Sequence, residues 1–185
     1  MRTSPITAII FALTIGAGSM PVRGQAPPQP PPPAQNPQGR GGRPPDFDRM
    51  LHEQADTDKT WKSASEGFMH EEKITYRSKA GDMDIPAFVF QPLKLRGPKG
   101  HAALVWVHEN IRGHLYEHYI PYIREAVAKG YIIIAPEYRG SIGYGKEFYD
   151  AIDYGGNEVD DVVTAVDVLK SKYPAVDPAR IGIIG

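Results

Sequence analysis

The chain has 185 residues, room for one ordinary domain, and a formal net charge of -1. That balance lacks the basic stripe of a nucleic-acid surface, so no nucleic-acid partner is expected. The absence of cysteine excludes a disulfide framework, a thiolate metal site, a lipid-modified cysteine anchor and a cysteine nucleophile within these residues.

The first 26 residues read as an export signal. Arg2 precedes an apolar run from about Ile6 to Met20, and Gly24-Gln25-Ala26 offers a small-x-small cleavage site. The run is about 15 residues, short of the roughly 20 that span a bilayer, so no stable membrane span is expected once the signal is cleaved. The expected location is secreted or periplasmic. Residues 27–70 read as a spacer. Nine of the 18 prolines fall between Pro27 and Pro45, and such runs form extended polyproline helix rather than a core. Asp46 is placed to cap a short helix, with Phe47, Met50, Leu51 and Gln54 along one side.

Residues 71–185 carry the globular pattern. "EKITYRS" and "MDIPAFVFQP", separated by Lys79-Ala80-Gly81-Asp82, read as an antiparallel hairpin, with Pro86 confining its strand to an edge or a bulge. "HAALVWVHE" and "YIIIAPEY" are continuously apolar, as expected of parallel strands covered on both faces. Between them Tyr119, Ile120, Ile123 and Val127 recur at helical spacing, and Gly130 stops the helix. "GNEVDDVVTAVDVLKSKY" reads as a helix with Val159, Val162, Val163, Val166 and Leu169 as its apolar stripe, ended by Pro174 and Pro178. "IGIIG", residues 181–185, reads as a short, fully buried strand. A hairpin followed by strands alternating with helices predicts an α/β fold, a parallel sheet with helices on both faces.

In such sheets the sites lie beyond the carboxyl ends of the strands. After Val107 come His108, Glu109 and Asn110, a loop able to aim a backbone N–H at a developing oxyanion, alongside the plainer reading of a strand-to-helix turn. His108-Glu109 begins like H-E-x-x-H, but Arg112 stands in the fifth place. His114, Glu117 and His118 admit a metal reading if the two imidazoles share a helical face, although a solvated helix start fits them as well. After Pro136 comes a loop with Gly140, Gly143 and Gly145, suited to positive φ. It lacks G-x-x-x-x-G-K-[ST], and no helix pattern opens on Gly145, so no nucleotide is expected. Arg139 and Tyr144 are read as buttressing the site or lining a pocket. No metal and no cofactor is assigned.

"PEYRGSIGYGKEF", "GGNEVDDVVTAVDVL" and "DPARIGIIG" together resemble the catalytic domain of the prolyl oligopeptidase family, over roughly residues 71–185. The resemblance implies an α/β-hydrolase fold whose nucleophile elbow begins at Gly185, with the serine just after it and the aspartate and histidine of the triad later still. On that reading the chain is a fragment truncated before the elbow, with no triad residue and no activity of its own. The sequence departs from the family at His108-Glu109-Asn110-Ile111, where H-G-G-P is usual. H-E-x-x-x-G is closer to dienelactone hydrolases, and in both groups the third residue of the motif, here Asn110, supplies an oxyanion-hole N–H. His108 and Glu109 then support the site: Glu109 either only fixes its own loop or hydrogen-bonds near the nucleophile, as a carboxylate does at this position in dienelactone hydrolases. About 45 residues separate the start of the spacer from the hairpin, too few for the family's β-propeller, which leaves esters open beside peptides as substrates. The implied function is a secreted serine hydrolase working through an acyl-enzyme. The alternatives are a dienelactone-hydrolase-like carboxylesterase and a non-catalytic binding module on the same fold.

Overall fold

The computed structural model describes residues 44–81 and 83–185. The expected signal peptide and most of the proline-rich stretch lie outside the described residues. Residues 44–185 form one compact unit. Its elements are α1 (Phe47–Ser65), β1 (Met69–Arg77), β2 (Asp84–Pro92), β3 (His101–Trp106), a 3-10 turn (Glu117–Tyr119), α2 (Ile120–Ala128), β4 (Ile132–Pro136), α3 (Lys146–Asp150), α4 (Asn157–Lys172) and β5 (Val176–Ile184).

The five strands make one sheet in the order β1-β2-β4-β3-β5. The expected hairpin is present: β1 and β2 pair antiparallel, with Met69 opposite Pro92 and Arg77 opposite Asp84. β2 then pairs antiparallel with β4, and β3 lies parallel to both β4 and β5. Side chains alternate across the sheet as the strand period requires. Ile85, Ala87, Val89, Ala103, Val105, Ile132 and Ile134 face α4, where Ala165, Val168 and Leu169 cover them. Phe88, Phe90, Trp106, Ile133 and Ala135 face the other way, under Trp61 of α1 and Ile123 and Val127 of α2.

Four expectations change. Pro86 is not at an edge, because β2 lies between β1 and β4. It sits where the β2–β4 ladder ends. Its carbonyl accepts from Glu137 N–H at 2.8 Å, and the N–H it lacks is the last of that ladder. The helix after Asp46 is 19 residues rather than short, capped by Asp46 Oδ1 on Arg49 N–H at 3.0 Å. Its buried side is Gln54, Thr57, Trp61 and Ser65, while Leu51 is exposed, so residues 44–70 belong to the folded unit. The inner side of α4 is Glu158, Asp161, Thr164, Ala165, Val168 and Leu169; Val159 and Val163 face solvent. Asp161 turns the helix, because its carboxylate pairs with buried Arg139. Last, "IGIIG" is the end of a nine-residue edge strand that includes Pro178, with Ile183 58% and Ile184 44% exposed.

Trp61 is the pin of α1. It is fully buried, its ring centroid lies 4.9 Å from that of Phe90, and its indole N–H donates to Leu115 O at 2.9 Å across 54 residues of sequence. Trp61→Ala is expected to remove about 3 to 5 kcal/mol of stability in chemical denaturation. A loss under about 1 kcal/mol would show that α1 is not part of the core.

Candidate functional site: the loops beyond β3 and β4

β3, β4 and β5 lie side by side and deliver three chain segments to one end of the sheet. Val107 N–H donates to Ile184 O at 2.7 Å, so β5 ends beside the start of the 108–113 loop. A Cβ on Gly185 would lie 2.8 Å from Val107 O, an approach only glycine permits.

The 108–113 loop is tightly wound. Asn110 has φ 65°, a left-handed conformation that asparagine tolerates better than most residues. Its Oδ1 accepts from Arg112 N–H at 3.1 Å and its carbonyl accepts from Gly113 N–H at 2.8 Å. A Cβ on Gly113 would stand 2.5 Å from Glu109 O, so the turn requires glycine there. Glu109 N–H is taken by the Tyr119 hydroxyl at 3.0 Å. Asn110 N–H has no hydrogen-bond acceptor among the described residues. The half-exposed Glu109 carboxylate lies 3.2 Å from His118 Nε2.

Beneath this loop lies a buried polar cluster. The His108 ring stacks on Tyr138 with centroids 4.3 Å apart and planes 10° apart. Its Nδ1 is 3.2 Å from Glu109 O, and its Nε2 is 3.0 Å from Ser141 Oγ and 3.7 Å from Glu137 Oε2. The Tyr138 hydroxyl lies 3.2 Å from His108 O and 3.4 Å from Asn110 O. Burial pushes Tyr138 up to about 12, so near neutral pH the hydroxyl keeps its proton and donates to these carbonyls. Glu137 Oε1 accepts from Leu115 N–H at 2.9 Å, and Oε2 has no hydrogen-bond partner among the described residues. Burial taken by itself opposes charge on both side chains, driving His108 down to about 4 and Glu137 up to about 8 before the attraction between the two is counted. Against burial stands the attraction of two opposite charges 3.7 Å apart, about 4 to 5 kcal/mol at an effective dielectric constant of about 20.

Ser141 and His108 touch as a nucleophile and its base would. However, Ser141 is fully buried and its hydroxyl donates to Tyr138 O at 2.6 Å, so it faces the interior as a brace. Neither Glu137 nor Ser141 was singled out in the sequence. The available signal was a carboxylate directly after the apolar run of β4 and a serine flanked by Gly140.

The β4 loop is held by charge. Buried Arg139 grips Asp161 through Nε to Oδ2 and Nη2 to Oδ1, both at 2.9 Å, and through its backbone N–H at 3.0 Å. This bidentate geometry is the strong form of the contact. Gly140 and Gly143 have φ of 95° and 87° as expected, and a Cβ on Gly143 would meet Gln54 Cβ of α1 at 2.5 Å. A short helix, α3, does open directly on Gly145, which corrects the sequence reading; it runs for only five residues, and Glu147 stands where a phosphate loop has serine or threonine. The Tyr144 ring lies 5.2 Å from that of Phe148 and 5.1 Å from Lys73 Nζ, with its hydroxyl buried and without a hydrogen-bond partner among the described residues.

The residues of the metal reading part company. His114 is buried on Gln54 Oε1 at 2.6 Å, Glu117 accepts from Thr57 Oγ1 at 2.8 Å, and His118 turns to Glu109. The helical turn begins only at Glu117, so no helical face carries both imidazoles. Two surface grooves of about 240 and 260 Å³ share Arg96 and Gly130. Those residues precede β3 and β4, so the grooves lie at the opposite strand ends from Asn110.

Asp161→Asn removes the Asp161 counter-charge from the buried Arg139 guanidinium and is expected to lower stability by up to about 3 to 5 kcal/mol. The double change Arg139→Met with Asp161→Leu is expected to recover part of that loss. Denaturation midpoints check both, and an Asp161→Asn protein as stable as the parent would contradict the assignment.

Residues 118–185 match the model of the prolyl oligopeptidase family. The chain is 34% identical over 119 residues to the uncharacterized peptidase YuxL of Bacillus subtilis, covering 62% of this chain and 18% of that protein. It is 45% identical over 65 residues to dipeptidyl-peptidase 5 of Porphyromonas gingivalis, covering 34% of this chain and 9% of that one. The chain therefore spans under a fifth of the length of these two relatives. Among solved structures, an acylaminoacyl peptidase of Pyrococcus horikoshii superposes with a TM-score of 0.54 at 22% identity, covering 69% of this chain and 20% of its own. A putative dipeptidyl aminopeptidase IV of Bacteroides ovatus gives 0.53 at 25% identity, over 64% of this chain and 18% of its own. Over residues 118–185 the chain is thus similar in sequence to the prolyl oligopeptidase family, and the sheet that holds those residues has the α/β-hydrolase fold.

Proposed function

We propose that this chain forms part of a secreted serine hydrolase that cleaves peptide bonds through an acyl-enzyme, and that Asn110 N–H is one of its two oxyanion donors. The observation that carries the reading is the state of that N–H. It lies at the carboxyl end of β3, on a backbone bent to φ 65°, without an acceptor among the described residues, beside the end of β5. A segment continuing β5 would bring a serine to the same end of the sheet, with the residue after it as the second donor. The nucleophile, its histidine base and the aspartate that orients the base then lie outside these 185 residues, and the chain alone is inactive. A serine attacks the carbonyl, histidine takes and returns the proton, and water releases the acyl group. The peptidase names of the relatives favour peptides over simple esters. The substrate is a peptide or small ester, and no cofactor enters. Export rests on the charged, apolar and small-residue pattern of residues 1–26.

Within this scheme His108, Glu109, Arg139 and Tyr144 hold the loops and touch no substrate. The dienelactone-type role for Glu109, a carboxylate near the nucleophile, has less support, since Glu109 is engaged with His118.

A fluorophosphonate probe tests the reading. The complete protein that contains this chain is expected to react at one serine, and residues 1–185 alone are expected not to react. Gly113→Ala in the complete protein forces a Cβ toward Glu109 O and displaces the donor. It is expected to lower kcat by about 100- to 1000-fold with little change in KM, the cost of one lost oxyanion donor. A complete protein that the probe leaves unlabelled would favour the binding-module alternative.

A further inference from the structure

We infer that His108 is a positioning residue that aims the Asn110 oxyanion donor, and that it does so as an imidazolium with Glu137 as its buried counter-ion. The catalytic half of this inference rests on the acyl-transfer reading above. The protonation half stands on the geometry alone.

Direction comes first. The Glu109–Asn110 peptide is trans, so its carbonyl and its N–H point opposite ways. The carbonyl is turned toward His108 Nδ1 at 3.2 Å. Asn110 N–H therefore points away from the imidazole. Whatever holds Glu109 O sets the aim of the donor, and His108 is the group that holds it.

Proton counting comes second. Glu109 O is an acceptor only, so Nδ1 must carry hydrogen to bond it. Ser141 Oγ has a single hydrogen, and Tyr138 O, also an acceptor only, takes it at 2.6 Å. Ser141 Oγ can then meet Nε2, 3.0 Å away, only as an acceptor, so Nε2 carries hydrogen as well. A ring with both nitrogens protonated is an imidazolium. A neutral ring would leave one of these contacts with lone pairs facing each other, a costly arrangement between buried groups.

The counter-ion is in place. Glu137 is fully buried, and its Oε2, which has no hydrogen-bond partner among the described residues, lies 3.7 Å from Nε2. Moving one proton from Glu137 to His108 leaves the pair neutral overall. The nearby ionisable groups are His114, Glu109 and the stacked Tyr138 around His108, and Lys73, Asp58 and the phenols of Tyr116, Tyr138 and Tyr144 around Glu137. None of them lies within ion-pair distance of either member among the described residues. Held against Glu109 O, the imidazolium polarises the peptide and makes Asn110 N–H a stronger donor. It also fixes positive charge behind the point where an oxyanion would form, in a position that needs no reorganisation during the reaction.

The test is imidazole nitrogen NMR at neutral pH on the isotopically labelled full chain, with the His108 ring assigned by through-bond correlation to its own backbone. Both ring nitrogens of His108 are expected to be protonated, and Glu137→Gln is expected to reduce the ring to one proton. One bare ring nitrogen in the parent protein would overturn the inference, and that measurement needs no variant to fold. In the complete protein, Glu137→Gln is expected to lower kcat about tenfold at unchanged KM, a fraction of the ~100- to 1000-fold cost of deleting a donor. An unchanged kcat would overturn the catalytic half. A complete protein with no acyl-transfer activity would overturn the functional reading and leave the NMR result to decide the protonation of His108.

Discussion

A guanidinium buried to 2% exposure cannot stand alone, and the carboxylate that meets Arg139 organises the carboxyl end of this sheet. Arg139 leaves β4 and Asp161 sits on the second turn of α4. Their bidentate contact sets how α4 is rotated on the sheet. Asp161 also gives its main-chain oxygen to the Tyr76 hydroxyl at 2.7 Å, which ties in the far strand β1. With Arg139 fixed, Tyr138 beside it reaches the carbonyls of His108 and Asn110, and Ser141 beyond it reaches the His108 ring. One buried pair thus connects the outermost strand of the hairpin to the 108–113 loop, where the proposed oxyanion donor lies. Such a pair contributes less to stability than the loss on breaking it suggests. Its role is to choose one arrangement of the loops.

The strands β1 to β4 and α2 were legible because their burial follows from local pattern. A continuous run such as "IIIAP" has nowhere to go except a covered strand, and Ile123 and Val127 lie on one side of a helix whatever the sheet does. The inner side of α4 was not legible in the same way. Apolar spacing favoured Val159 and Val163, yet the partner of Asp161 lies 22 residues earlier, beyond any helical period. The length of α1 was masked by its composition. Its 19 residues are mostly polar, and its hold on the core comes from Trp61 and a hydrogen bond to Leu115. Pro86 was misplaced because the edge rule assumes a ladder running through the proline, whereas here the ladder stops at it.

The site shows the same division. His108, Glu109 and Asn110 could be located from their place after a buried strand, and the family pattern gave Asn110 its role. The support beneath them was hidden. Glu137 and Ser141 are unremarkable in sequence, and their meaning comes from the parallel pairing of β3 and β4, which sets two loop starts side by side. The glycines carry the complementary message. Gly113 and Gly143 stand where a side chain would strike the main chain of the donor loop and the stem of Gln54, so they mark close packing rather than freedom of movement.

The account depends on where Asn110 N–H points when an acyl group is being transferred. The most direct measurement is a crystal structure of the complete protein with its serine phosphonylated, since the phosphonyl oxygen stands in for the oxyanion of the tetrahedral intermediate. The account predicts that oxygen about 2.7 to 3.1 Å from Asn110 N, with the Glu109 carbonyl still held by His108. A phosphonyl oxygen bound by other donors, with Asn110 N–H directed elsewhere, would contradict it.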